Sequence, residues 1–269
     1  MPRRKVMAVA VAGGLAAALL TVPAASMASA ESGPKPTIVL VHGGFADASN
    51  WNGVIPKLQE KGYPVIAPAN PLRGLPTDVP YINSVLKSID GPIVLVAHSY
   101  GGAVITNAAV GVDNVKALVY IAAMAPDKGE TLAELFGKFP GSQIPDSVRE
   151  VPFTNADGST GVDLYLKADK LRAAFAHDLP VSQTRLMAAT QRPFAASSYT
   201  DVSTGAAWHT IPSWALVARQ DHAIPPALER FFYKRAKSKV YETDASHVPM
   251  ISRPGLVTGI ILDAAHAVD

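Results

Sequence analysis

From residue 37 onward the chain alternates short, β-branched apolar runs with longer stretches whose apolar residues recur at helical spacing. The short runs cover residues 37–41, 64–67, 93–97, 115–122, 213–218 and 239–242. Ile93 to Ala97 is apolar without interruption, the pattern of a strand buried on both faces. Between the runs lie amphipathic stretches. One is capped near Ser49, carries Trp51, Ile55 and Leu58 on one face and is closed by Gly62. A second, capped by Thr77, has the stripe Val79, Ile82, Val85, Leu86 and Ile89. Ala103, Val104, Ile105, Ala108 and Ala109 continue a buried helix after Gly101-Gly102. Pro225 at N1 opens a helix to about Lys237, and Pro254 opens the last one. The alternation predicts an α/β fold with a mostly parallel, six-stranded sheet covered by helices on both faces. It breaks between Pro126 and about Thr210, where short helical pieces are separated by Pro, Gly, Ser and Asn. Asp157-Gly158-Ser159 reads there as an exposed turn. Residues 31–125 and 211–269 therefore form the sheet core and residues 126–210 a separate subdomain.

The first 30 residues follow a different pattern. Arg3-Arg4-Lys5 is a basic start, Val6 to Val22 an apolar core broken by Gly13-Gly14, and Ala28-Ser29-Ala30 a cleavage site. Together they predict a signal peptide at residues 1–30, a mature chain from about Glu31, and a secreted, extracellular protein without stable membrane association. Its removal changes the charge. The full chain is +2, but residues 1–30 hold three basic and no acidic residues, so the remainder carries 21 basic and 22 acidic residues, or −1. No basic stripe stands out, and no nucleic-acid partner is expected. There is no cysteine, which excludes disulfides, a thiol nucleophile and thiolate metal sites. No His/Asp/Glu cluster has metal-ligand spacing, and no cofactor is expected.

Chemistry concentrates at the ends of the predicted strands. Ala97-His98-Ser99-Tyr100-Gly101 puts a serine on a sharp turn between a buried strand and a buried helix, the context of a nucleophile elbow. A serine needs a base within hydrogen-bond reach. Of seven histidines, His247 alone sits in the loop after the last strand, in Ala245-Ser246-His247-Val248-Pro249-Met250. Asp221 follows the strand ending at Ala218 and completes the chain order Ser…Asp…His; Asp127, after the preceding strand, is the alternative acid. The N–H of Tyr100 and one from the turn His42-Gly43-Gly44-Phe45, with Gly44 before Phe45, are the candidate donors to an oxyanion.

The motifs in residues 39–51, 96–102, 219–225 and 246–254 resemble those of small secreted bacterial α/β-hydrolases, of the branch that includes plant esterases and hydroxynitrile lyases. The resemblance covers residues 35–268. It implies the α/β-hydrolase fold, with residues 126–210 as a helical cap inserted between two sheet strands. In hydroxynitrile lyases a lysine follows the base histidine; Val248 stands here, against cyanohydrin chemistry. Among the larger apolar cap residues, Leu135, Phe136, Phe139, Tyr165, Phe175, Leu186, Met187 and Phe194, some should line an apolar pocket and most should pack the cap. The expected function is hydrolysis of small apolar carboxylic esters through an acyl-enzyme, by Ser99, His247 and Asp221. Lactone opening, perhydrolysis, carbon–carbon bond hydrolysis, amide cleavage or a non-enzymatic ligand-binding role on the same fold are the alternatives.

Overall fold

The computed structural model describes residues 1–3, 5, 7–10 and 34–268. The cleavage site and most of the predicted signal peptide lie outside the described residues.

Apolar runs and amphipathic stretches become alternating elements: β1 (Thr37–Val41), α1 (Ile55–Glu60), β2 (Val65–Ile66), α2 (Leu75–Lys87), β3 (Ile93–Ser99), α3 (Tyr100–Ala108) and β4 (Val115–Ala123). An insert follows, with α4 (Leu132–Lys138), α5 (Ile144–Ser147), β5 (Val148–Thr154), β6 (Thr160–Leu166), α6 (Ala168–Phe175), α7 (Val181–Thr190) and β7 (Phe194–Ala195). The chain ends in β8 (Ser213–Ala218), α8 (Pro226–Arg235), β9 (Lys239–Thr243), α9 (Pro249–Ser252) and α10 (Pro254–His266).

Six strands pair in the order β2-β1-β3-β4-β8-β9, all parallel. Every residue of β1, β3 and β8 is buried, as uninterrupted apolar runs require. α3 packs on β1, β3 and β4 and against α2, while α10 packs on β3, β4 and β8 and against α1. Two helix groups laid on the same central strands cover the two faces of the sheet. The chain enters at β1, moves outward to β2, then returns to β3 on the other side of β1. Crossovers diverge between β1 and β3, and a crevice opens beyond the carboxyl ends of these strands.

Helix entries differ from the sequence expectation at three places. Asp47, not Ser49, caps the first: its carboxylate accepts the Ser49 N–H at 2.8 Å and starts a 3₁₀ turn, Ala48–Trp51, ahead of α1. α2 begins at Leu75, before Thr77, because the Leu75 N–H is satisfied by Asp201, 126 residues away. Pro225 is the residue before α8 and not its first. The insert is also not purely helical. β5, β6 and β7 form a three-stranded antiparallel sheet, whose Asn155–Ser159 hairpin closes with Asn155 N–H donating to Ser159 O at 2.8 Å. Asp157-Gly158 supplies the turn chemistry that such a hairpin needs.

Candidate active site

The site is built on the backbone of Ser99. β3 runs straight into α3, and the residue at the junction has φ 53° and ψ −129°, a conformation that L-residues adopt under strain of about 1–3 kcal/mol. The strain lifts the hydroxyl off the sheet at the amino end of α3. It persists because the surroundings are tight. A Cβ on Gly102 would run into the Met124 carbonyl, and one on Gly43 would sit 2.5 Å from Ser99 Cβ. Ser99 O in turn accepts the Met124 N–H at 3.1 Å, fixing the junction to the end of β4.

Three side chains from distant parts of the chain meet there. Ser99 Oγ lies 2.8 Å from His247 Nε2, and His247 Nδ1 lies 2.5 Å from Asp221 Oδ2. A carboxylate only accepts, so Nδ1 carries the ring proton and Nε2 is left to accept from the serine hydroxyl. The other Asp221 oxygen accepts the Ala223 and Ile224 N–H groups at 2.6 and 2.9 Å. The His247 and Asp221 side chains are almost wholly shielded from solvent. Asp127, the alternative acid, lies elsewhere: it pairs with His209 at 3.0 Å on the surface.

Two further histidines brace this arrangement in neutral form. His42 Nε2 accepts the Asn70 N–H at 3.0 Å, so its proton is on Nδ1 and is donated to Gly43 O at 3.0 Å. Burial brings its pKa down to about 4. The turn carrying Gly44 and Phe45 is thereby tied to the loop after β2, with Asn70 Nδ2 also donating to His42 O at 3.1 Å. Phe45 itself has φ 59°. His98 donates from Nε2 to the backbone carbonyl of His247 at 2.7 Å, and burial first, then the nearby His247, holds its pKa well below the usual value. Gly44, Phe45 and Tyr100 line one chamber with Ser99 and His247. Tyr100 is fixed through its hydroxyl, which donates to the buried Asp78 at 2.9 Å.

A hydroxyl–imidazole–carboxylate series at the carboxyl edge of a parallel sheet, beside a helix amino end, can generate and stabilise an alkoxide-like nucleophile. Residues 38–259 match the family model described as the alpha/beta hydrolase family. The chain belongs to that family. It is 26% identical over 254 residues to the alpha/beta hydrolase nvfD of Aspergillus novofumigatus, covering 86% of this chain and 97% of that one. It is 27% identical over 253 residues to the pyrethroid hydrolase of Sphingobium wenxiniae, covering 86% and 88%. Among solved structures, polyneuridine aldehyde esterase superposes with a TM-score of 0.74 at 21% identity, over 86% of this chain and 99% of that one. This last likeness concerns the fold.

In this alpha/beta hydrolase the chamber in front of Ser99 is narrow: its free volume, about 20 Å³, is on the order of that taken by a single water. Its walls are mostly aromatic: Phe45, Tyr100, Phe136, Phe175, Phe194 and Tyr199, with Met124, Ile144 and Ile224. The rings support one another edge-on. Phe194 stands 4.8 Å from Tyr100 and 5.5 Å from Phe45, and Phe175 stands 4.8 Å from the His247 ring. The Tyr199 hydroxyl is pushed up to about 12 by burial and stays protonated. Of the apolar insert residues noted in the sequence, Phe136, Phe175 and Phe194 line the chamber. Leu135 is core, Phe139 packs on Phe231 at 5.0 Å, and Tyr165 lies under the Arg149 guanidinium. Met187 lines a neighbouring small cavity that shares Phe45 and Phe175, and Leu186 is exposed.

Sequence reasoning missed Glu229 and Asp178. Glu229 is fully buried, accepts the Ala218 N–H at 2.9 Å, and is driven well above the usual carboxyl range by burial and then by the charge of Asp221, so it is a neutral acid. Its place four residues into α8 carries no local signal. Among the described residues no helix is long and apolar enough to cross a membrane, and no group of three His, Cys, Asp or Glu could hold a metal ion.

Proposed function

We propose that this hydrolase cleaves small, neutral, apolar carboxylic esters through an acyl-enzyme on Ser99. The observation that carries the reading is the hydrogen-bonded series Ser99–His247–Asp221, at 2.8 and 2.5 Å, opening on an aromatic chamber. Ser99 Oγ attacks the ester carbonyl carbon while His247 Nε2 takes its proton. Asp221 holds the Nδ1–H tautomer and stabilises the imidazolium. The N–H groups of Gly44, Phe45 and Tyr100 are offered to the oxyanion, with the amino end of α3 behind them. Collapse breaks the bond to the alkoxy group, which leaves as the alcohol with the proton from His247. Water, deprotonated by the same imidazole, then releases the acid and restores Ser99.

Three further points support the substrate class. The residues that line the chamber include no Asp, Glu, Lys or Arg, and the neutral phenol of Tyr100 is held by Asp78, so the lining offers no carboxylate, ammonium or guanidinium to an ionic substrate. The chamber is narrow, which favours a compact acyl or alcohol portion next to Ser99. Relatives carry the names pyrethroid hydrolase and putative methylesterase, the latter 26% identical and from Arabidopsis thaliana. In this proposal the insert, residues 126–210, is the cap that sets specificity, and the chain is exported with residues 1–30 removed.

Ser99→Ala tests the reading. Turnover of p-nitrophenyl esters should fall on the order of 10⁴-fold or more, and a fluorophosphonate probe should label the wild type and not the variant. Retained turnover in the variant would overturn the assignment. A parallel panel of lactones, peracid formation and amides separates ester cleavage from other reactions of the same three residues.

A further inference from the structure

The loop that carries His247 has no regular structure of its own: residues 244–248 join β9 to α9. It is held instead by a carboxylate from the insert. Asp178, just beyond α6, accepts the Ser246 N–H at 3.1 Å and the Ser246 hydroxyl at 2.5 Å. Ser246 is fully buried and immediately precedes His247. On the far side, His98 grips the His247 carbonyl at 2.7 Å. The imidazole is thus suspended between two backbone anchors, one from the sheet and one from the insert. The same part of the insert holds the acid loop. His177 Nε2 donates to Gln220 O at 2.9 Å, and the backbone of Gln143 donates to His222 O at 2.8 Å. His222 Nδ1 donates back to Ala173 O at 2.9 Å, and Ser142 Oγ donates to Ala223 O at 2.7 Å. Asp221 and His247 are therefore aligned on each other by a segment that precedes both of them in the chain.

We infer that Asp178 is a positioning residue, which through Ser246 keeps His247 in register with Ser99 and Asp221. The inference rests on the hydrolytic reading of those three residues. Asp178 touches none of the reacting atoms; it supplies acceptors to a buried N–H and a buried hydroxyl that otherwise have to find partners by moving the loop. Burial raises the pKa of its carboxyl, but the two Ser246 donors, with Ser252 and the nearby His177, together hold it below the usual range, so it accepts as a carboxylate at neutral pH. A misplacement of a reacting group by about 1 Å costs about 10²-fold in rate.

The test compares Asp178→Ala, Asp178→Asn, Ser246→Ala and Ser99→Ala in the full chain with p-nitrophenyl butyrate. Asp178→Ala should lower kcat about 10–100-fold while KM stays within about threefold, because the chamber walls are intact. Asp178→Asn keeps one acceptor oxygen and should recover much of kcat. Ser246→Ala keeps the N–H contact and should be milder than Asp178→Ala. Should Asp178→Ala fail to fold, the other two variants carry the test: Asp178→Asn and Ser246→Ala should each lower kcat about 3–10-fold with KM held, and kcat within about 1.5-fold of wild type in both overturns the inference. A folded Asp178→Ala with a lowered melting temperature and unchanged kcat overturns it as well, because the role is then structural only. Ser99→Ala separates the two readings. If that variant is inactive while Asp178→Ala is wild-type, only the positioning role is lost; if it stays active, the hydrolytic assignment itself fails.

Discussion

The neutral His42 makes the stability of the fold depend on pH in a way that can be calculated. An unfolded histidine titrates near ~6.5. In the fold, burial brings His42 down to about 4, where its Nε2 is free to accept from Asn70. Between these values the unfolded chain binds the extra proton and the folded chain does not. Stability from this residue is therefore complete above the unfolded value and is lost as pH falls toward about 4. Between pH 7 and pH 5 the loss is about 2 kcal/mol, and for a domain of this size that lowers Tm by roughly 4–8 °C. His98, also depressed by burial, acts in the same direction. Glu229 and Asp78, whose carboxyls are raised by burial, act in the opposite one. The measurement must therefore isolate His42, and His42→Gln does so: its amide can accept from Asn70 and donate to Gly43, yet it cannot titrate. Thermal melts by circular dichroism at pH 5 and pH 7 should show the wild type losing about 4–8 °C more than the variant across that interval. Equal losses in the two proteins, or a His42 ring resonance that titrates near the unfolded value in the native state, would refute the reasoning.

Two more expectations concern the site. Asp221→Asn should lower kcat about 10³–10⁴-fold, because the amide no longer enforces the Nδ1–H tautomer, whereas Asp127→Asn should leave ester turnover within about twofold, since the Asp127 carboxylate is engaged at the surface by His209 and the Lys128 N–H. Steady-state kinetics on both decide which carboxylate serves His247, and the opposite ranking would move the acid. Gly43→Ala would place a Cβ 2.5 Å from Ser99 Cβ and 2.9 Å from His98 O, so the turn carrying Gly44 and Phe45 must shift. Fluorophosphonate labelling should slow about 10²-fold while the fold loses about 1–3 kcal/mol; a wild-type labelling rate would show that this turn does not face the reacting carbonyl.

What could be read in advance was whatever is local in the chain. A buried apolar strand that stops at a serine and resumes as a small-residue helix specifies its own turn, and Ser99 lies at that strand-to-helix junction with φ 53°. Asp221 and His247 follow consecutive sheet strands, so their position at the carboxyl edge follows from the alternation of elements. The parts that escaped depend on partners far away in sequence. α2 starts at Leu75 because of Asp201, and Ser246 is held by Asp178, 68 residues earlier. The antiparallel sheet of the insert was masked differently. Val148–Thr154 and Thr160–Leu166 are only half-buried, so polar residues interrupt their apolar alternation, although the Asp157-Gly158 turn between them was visible. Phe136, Phe175 and Phe194 could be named as large apolar residues, but no periodicity separates them from Leu135 or Phe139, which pack elsewhere.

The Asn155–Ser159 hairpin tip has a practical use. All five of its residues are solvent-exposed, and their hydrogen bonds close within the tip itself. Backbone of this kind tolerates extension and cutting. A peptide tag or a surface-coupling group spliced in at this point would tether the protein to a solid support by its insert. The termini would be untouched, and the sheet strands that present Ser99, Asp221 and His247 would keep their covalent neighbours.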